Sequence, residues 1–99
     1  MITVIGTATA TPDGLTLVLD ESLTHVARSR SEDGCIDHTV SIDQENPHLL
    51  RFVEYWRDEA ALLAHFAVPA SRAFIAAITP HLAEPPKMDV YRSEKIELT

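Results

Sequence analysis

The chain has one cysteine, three glycines and eight lysines and arginines in 99 residues. Each scarcity excludes something. Cys35 alone cannot close an internal disulfide, which agrees with a reducing compartment. Three scattered glycines provide no Gly-rich loop to cradle phosphate, so nucleotide cofactors are not expected. Eight basic against fifteen acidic residues give a net charge of −7, and such a surface repels nucleic acid and anionic membrane. No apolar run approaches the ~20 residues that span a bilayer. Met1 leads directly into ITVIG, with no basic start or small-residue cleavage site, so a cytoplasmic protein is expected.

The apolar content is ample. At 45% hydrophobic, 99 residues suit one domain over 1–99 with a single core. ITVIGTATA (2–10) is β-branched and ends at the turn signal Thr11-Pro12-Asp13-Gly14. Leu15, Leu19, Leu23 and Val26 fall at helical spacing, although LTLVL alone would equally suit a strand, and Gly34 follows where that helix would stop. CIDHTVSID (35–43) alternates, with Ile36, His38, Val40 and Ile42 on one side. LLRFVEYWR (49–57) is mixed on both faces, with Leu50, Phe52, Glu54 and Trp56 on one and Leu49, Arg51, Val53 and Tyr55 on the other, and QENPH between the two predicts a hairpin. Asp58 can cap a helix through AALLAHF, Pro69 opens another that Thr79-Pro80 closes, and KMDVYRSEKIEL (87–98) reads as a last strand.

That order predicts an α+β, ferredoxin-like βαββαβ fold: a four-stranded antiparallel sheet with helices on one face. The other face would carry Ile5, Val53 and Tyr55 among Thr7, Thr39, Arg51 and Asp37. A face that apolar predicts a homodimer through the open sheet.

Glu54 is the anomaly of the third strand, because an ionised carboxylate on an inward face needs a partner. It either orients a histidine or pairs with Arg72 or Arg92, and the ion pair is the expectation. His38, between Ile36 and Val40, points toward the helices. A neutral imidazole there could take a phenolic proton, or be a core histidine with a satisfied hydrogen bond. His65, at the margin of its helix stripe, could face the same hollow or fasten helix to sheet. Phe52 and Trp56 offer flat apolar surface for stacking an aromatic ring. Asp37 and Asp43 are expected to face Arg51 and Arg57 across the hairpin. The five histidines, His25, His38, His48, His65 and His81, show neither H-x-H nor H-x-x-x-H spacing, so no metal site is expected.

Three stretches, SRSEDGCIDHTVSID, FVEYWRDEAALLAHF and VPASRAF, together resemble the antibiotic biosynthesis monooxygenase family, small dimeric α+β barrels that include quinol monooxygenases. The resemblance rests on Gly34-Cys35 opening strand two, the Glu54-x-Trp56 pair, Asp58 to Leu62, His65-Phe66, and Ser71 to Phe74, about half the chain. It implies oxygenation of a small electron-rich aromatic, a quinol or polyketide-like ring, by O₂ without flavin or metal. His38, His65 and Glu54 are then the catalytic candidates, and Phe52, Trp56, Phe66 and Phe74 the substrate-binding walls. His38 stands where relatives often carry an aromatic residue. Haem degradation, which occurs in relatives with this barrel, resembles a scheme with a ligating His in the last helix, where this chain has RAFIAAI. The alternative is a non-catalytic dimer of the same fold that binds a small molecule or only forms an interface.

Overall fold

The computed structural model describes all of residues 1–99. Its elements are β1 (Ile2–Thr9), α1 (Leu15–Ser29), β2 (Cys35–Ile42), β3 (Leu49–Trp56), α2 (Glu59–Ala67), α3 (Pro69–Ile78) and β4 (Lys87–Arg92). The strands pair antiparallel in the order β2-β3-β1-β4, and α1, α2 and α3 pack on one face. This is the ferredoxin-like arrangement the alternation predicts.

Period-two burial decides which side chains face the helices. In β3, Leu50, Phe52, Glu54 and Trp56 are buried in turn, and in β1 the buried set is Ile2, Val4, Gly6 and Ala8. The main apolar cluster joins Ala8, Leu50 and Phe52 of the sheet to Val18 and Val26 of α1 and Phe74 and Ile78 of α3. A second cluster joins Ile2, Val4 and Trp56 to Ala61 and Leu62 of α2. Asp58 caps α2, its carboxylate accepting from the Ala61 amide at 2.9 Å. Gly34 takes a φ of +84°, and a β-carbon there would sit 2.5 Å from that of Ala61, so only glycine fits the turn into β2.

Several expectations are corrected. β2 does not alternate from its start, because a bulge between Cys35 and Asp37 shifts the register. Ile36 is thereby turned out, 58% exposed, while Cys35 packs inward beside the Trp56 cluster. His38 recovers the inward phase opposite Glu54. Leu23 is 50% exposed, because each four-residue step overshoots a turn by about 40° and Leu15, Leu19 and Leu23 drift off the buried line. That line is Val18, Ser22, His25, Val26 and Ser29. Strand pairing of β4 stops at Arg92, and Ile96 and Leu98 beyond it are exposed. Of the expected hairpin ion pairs only Asp43–Arg51 forms, at 3.4 Å. Asp37 instead meets Arg30, and Arg57 meets Asp33 and Asp58.

β4 is exposed along its whole length. Val90 lies opposite the buried Val4 and Met88 opposite Gly6, so these two apolar side chains share the helix-side face but project past the helices. No single helix is long and apolar enough to cross a membrane, and α2 and α3 meet at a 65° bend.

Candidate active site

Three elements each deliver one histidine to the same place. His25 comes from the buried line of α1, seven residues or two turns after Val18. His38 comes from β2 once the bulge has reset its phase, and His65 from the last turn of α2. One ring nitrogen from each lies within 4.8 Å of the others, and all three side chains are buried. Their rings make mutual contacts, with centroids 5.2 to 5.7 Å apart. His25 also stacks flat on Phe74, centroids 4.1 Å apart and planes 7° from parallel.

Neighbours fix the tautomers. Arg28 has only donors, so its bond to His25 makes Nδ1 the acceptor and leaves the neutral ring's proton on Nε2. Glu32 acts in the opposite sense: its Oε1 lies 2.8 Å from His65 Nδ1. The carboxylate accepts, Nδ1 carries the proton, and Nε2 of neutral His65 keeps a free lone pair. His38 is 1% exposed, yet neither of its ring nitrogens has a hydrogen-bond partner. Burial, then the neighbouring imidazoles and arginines, pushes His25 and His38 down to about 3. Both are neutral at physiological pH.

Glu54 sits at the centre of this arrangement. Its Oε1 accepts from the Trp56 indole at 2.9 Å. Oε2 lies 3.7 Å from His38 Nε2, and Oε1 lies 3.9 Å from His65 Nε2. The expected arginine partner is absent, since Arg92 pairs with Glu59 and Arg72 forms no ion pair. Burial raises the Glu54 carboxyl, partly countered by the indole hydrogen bond and by His65.

Beside the cluster opens a cleft of about 530 Å³. Its inner wall holds His25, His38, Phe52, Glu54, His65 and Phe74, and its rim holds Phe66, Arg72, Ile75, Lys87 and Met88. A volume within ~300–1,000 Å³ suits a small organic ligand. Three aromatic rings, Phe52, Phe66 and Phe74, supply apolar wall.

Six of the seven residues singled out from sequence therefore line one cleft: His38, Glu54, His65, Phe52, Phe66 and Phe74. Trp56 does not. It is fully buried beneath the floor, with its ring centroid 4.7 Å from that of His65, so it supports the site rather than offering a stacking surface. Sequence reading missed His25, Arg28 and Glu32. His25 carried a faint signal, its spacing of seven from Val18 and four from Ser29. Arg28 is three residues from His25 on α1, a spacing common to many surface pairs, and Glu32 carried no signal because its partner His65 lies on another element. Spacing within one segment also could not show that histidines 13 and 27 residues apart would converge.

Comparison with known proteins agrees with the fold. Residues 1–77 match the family model described as antibiotic biosynthesis monooxygenase. The uncharacterized protein sll1783 of Synechocystis sp. is 33% identical over 91 residues, covering 92% of this chain and 62% of its own length. The chain thus spans less than two thirds of that relative. PA3566 from Pseudomonas aeruginosa superimposes with a TM-score of 0.86 at 31% identity, covering 95% of this chain and 94% of its own. A crystal structure of an antibiotic biosynthesis monooxygenase gives a TM-score of 0.89 at 25% identity over 96% of this chain and all of its own. A family model matched across most of the length, together with the shared fold, shows that this chain belongs to the antibiotic biosynthesis monooxygenase family.

Proposed function

We propose that the chain is a monooxygenase that uses O₂ to oxidise a small electron-rich aromatic, a quinol or a polyketide-like ring, with no cofactor in the reaction. The observation that carries this reading is the Glu32–His65 pair at 2.8 Å on the wall of an aromatic-sided cleft. The pair leaves Nε2 as the proton acceptor of a residue that lines the cleft, 3.9 Å from Glu54 Oε1. Removing a phenolic proton matters because a phenolate surrenders an electron to O₂ far more readily than a phenol does. The overall change balances as quinol plus O₂ giving hydroxyquinone plus water: one oxygen atom enters the ring and the other leaves as water.

Burial depresses His38 to about 3, which makes it a poor base, whereas at His65 the Glu32 carboxylate holds Nδ1 and leaves Nε2 as the acceptor. Glu32 is accordingly a positioning residue. Phe52, Phe66 and Phe74 hold the ring, and the apolar wall strips water from the anion.

The test is oxygen uptake with a panel of quinols and hydroxynaphthalenes, in chelator-treated buffer. His65→Ala should lower the rate by about 10²–10⁴, the span of a lost general base, and Glu32→Gln should shift the pH profile. Equal rates for parent and His65→Ala would sink the reading. Saturable ring binding without oxygen uptake would instead favour a non-catalytic binding domain of the same fold.

The assembly proposed with this function is a homodimer through the open sheet face. Ile5 and Tyr91 on that face are 37% and 52% exposed, beside the half-buried Val53 and Tyr55. Light scattering should give twice the mass of one chain, and Ile5→Glu should reduce it to one. A monomeric parent protein would refute the dimer.

A further inference from the structure

We infer that His38, His65 and Glu54, with His25 as fourth ligand, form a binding site for one divalent first-row transition-metal ion. The inference concerns binding alone: an ion on His65 Nε2 would take up the lone pair that the oxygenase reading uses as a base, so the two states of the site exclude each other.

Three observations converge on it. First, nitrogens from three histidines on three elements lie within 4.8 Å of one another, next to an open cleft through which an ion can enter. Second, His38 is buried with both ring nitrogens unpartnered. Buried polar groups nearly always find partners, and a bound ion is one partner that would satisfy an imidazole beside two others. Third, Glu54 is a buried carboxylate with no lysine or arginine against it, although burial of a lone negative charge is costly. A dication between Glu54 and the imidazoles would answer both deficits at once.

The donor set specifies the class of ion. Neutral imidazole nitrogens with one carboxylate oxygen suit zinc, copper, nickel and iron, whereas magnesium and calcium prefer all-oxygen shells. Ligands about 2.0–2.1 Å from zinc stand about 3.3 Å from one another in a tetrahedron. The present Glu54–His38 and Glu54–His65 separations of 3.7 and 3.9 Å need only small side-chain rotations to close. His65 is already prepared, because Glu32 on Nδ1 directs the Nε2 lone pair outward, the usual outer-shell device of a metal-bound histidine.

His25 is the ligand that must rearrange. Arg28 now occupies its Nδ1, so Nε2 carries the proton. To free Nε2, the proton moves to Nδ1 and Arg28 turns away. Glu32 Oε2 and Arg28 Nε are both buried and unpartnered, 3.9 Å apart, and would pair when it does.

The experiment is titration of chelator-treated protein with Co²⁺ and Zn²⁺, read by calorimetry and by the visible absorption of Co²⁺, without substrate. One ion per chain is expected, with nitrogen-ligated Co²⁺ bands that Zn²⁺ displaces. Glu54→Gln, which keeps shape and volume, and His38→Phe should each weaken binding at least tenfold, while His48→Ala and His81→Ala should leave it unchanged. No stoichiometric binding by the parent would overturn the inference. So would binding that survives both Glu54→Gln and His38→Phe, or that disappears with His48→Ala, since the ion would then be held elsewhere.

Discussion

The layer between sheet and helices has two ends that are equally dry and chemically opposite. At one, Val18, Leu50 and Ile78 are sealed at 0 to 1% exposure, apolar against apolar. At the other, His38, His65 and Glu54 are sealed at 1, 3 and 6%, with an orphaned ring and a carboxylate that lacks a cationic partner. Burial at the first end is stabilisation by transfer from water, about 25 cal/mol per Å² of apolar surface. Burial at the second end is a cost borne by the first. Proteins that break local rules for stability tend to do so where they bind or catalyse, and this contrast by itself marks the cleft.

Acid should break the contrast most strongly. His25 and His38 drop from 6.5 in the unfolded chain to about 3 in the folded one. Their folded-state pKa is depressed, so the unfolded chain binds more protons between those limits. Stability is complete above 6.5 and is lost as pH falls toward 3. Each pKa unit corresponds to about 1.4 kcal/mol, so a drop of about 3.5 units is a loss on the order of 5 kcal/mol for each histidine. Urea melts at intervals between pH 7 and 3 should show the decline, and a His25→Gln, His38→Gln double variant should flatten it. An unchanged slope in the double variant would remove the histidines as its cause.

Truncation at the two ends sharpens the same comparison. Leu50→Ala should cost about 2–5 kcal/mol, the range for a buried leucine whose cavity only partly collapses. Glu54→Gln should cost nothing at neutral pH and raise stability by about 1 kcal/mol, since the amide still accepts from the Trp56 indole without a buried charge. Its sign with pH is opposite to that of the histidines. Burial raises the Glu54 carboxyl, so its contribution is present at low pH and fades as pH rises through the folded value. Equilibrium unfolding at pH 7 measures both substitutions, and a destabilised Glu54→Gln would show that the carboxylate is structural.

Much of this fold was legible residue by residue. In β3 the two-residue period of a strand puts Leu50, Phe52, Glu54 and Trp56 on one face whatever their polarity, and Asp58 announces its cap. β2 was harder, because the bulge after Cys35 exchanges the inward roles of Cys35 and Ile36 without altering the apparent alternation. In α1 the leucines advertised the wrong line. Leu23 is an ordinary exposed leucine, while the buried line runs through two serines and a histidine, residues that carry little hydrophobic signal. The open face was read as apolar, and Ile5 and Tyr55 do lie there.

The sequence by itself determined the order of strands and helices and the inward side of β1 and β3, because these follow from periods of 2 and 3.6 residues within short segments. Only the tertiary structure decided that three histidines meet, that Glu32 and Arg28 set their tautomers, and that Trp56 lies under the cleft rather than in it. Those facts depend on how elements far apart in the chain cross and on the one-residue phase shift at a bulge. The distances that govern proton transfer and metal ligation are a few ångströms through space and leave no regular spacing along the chain.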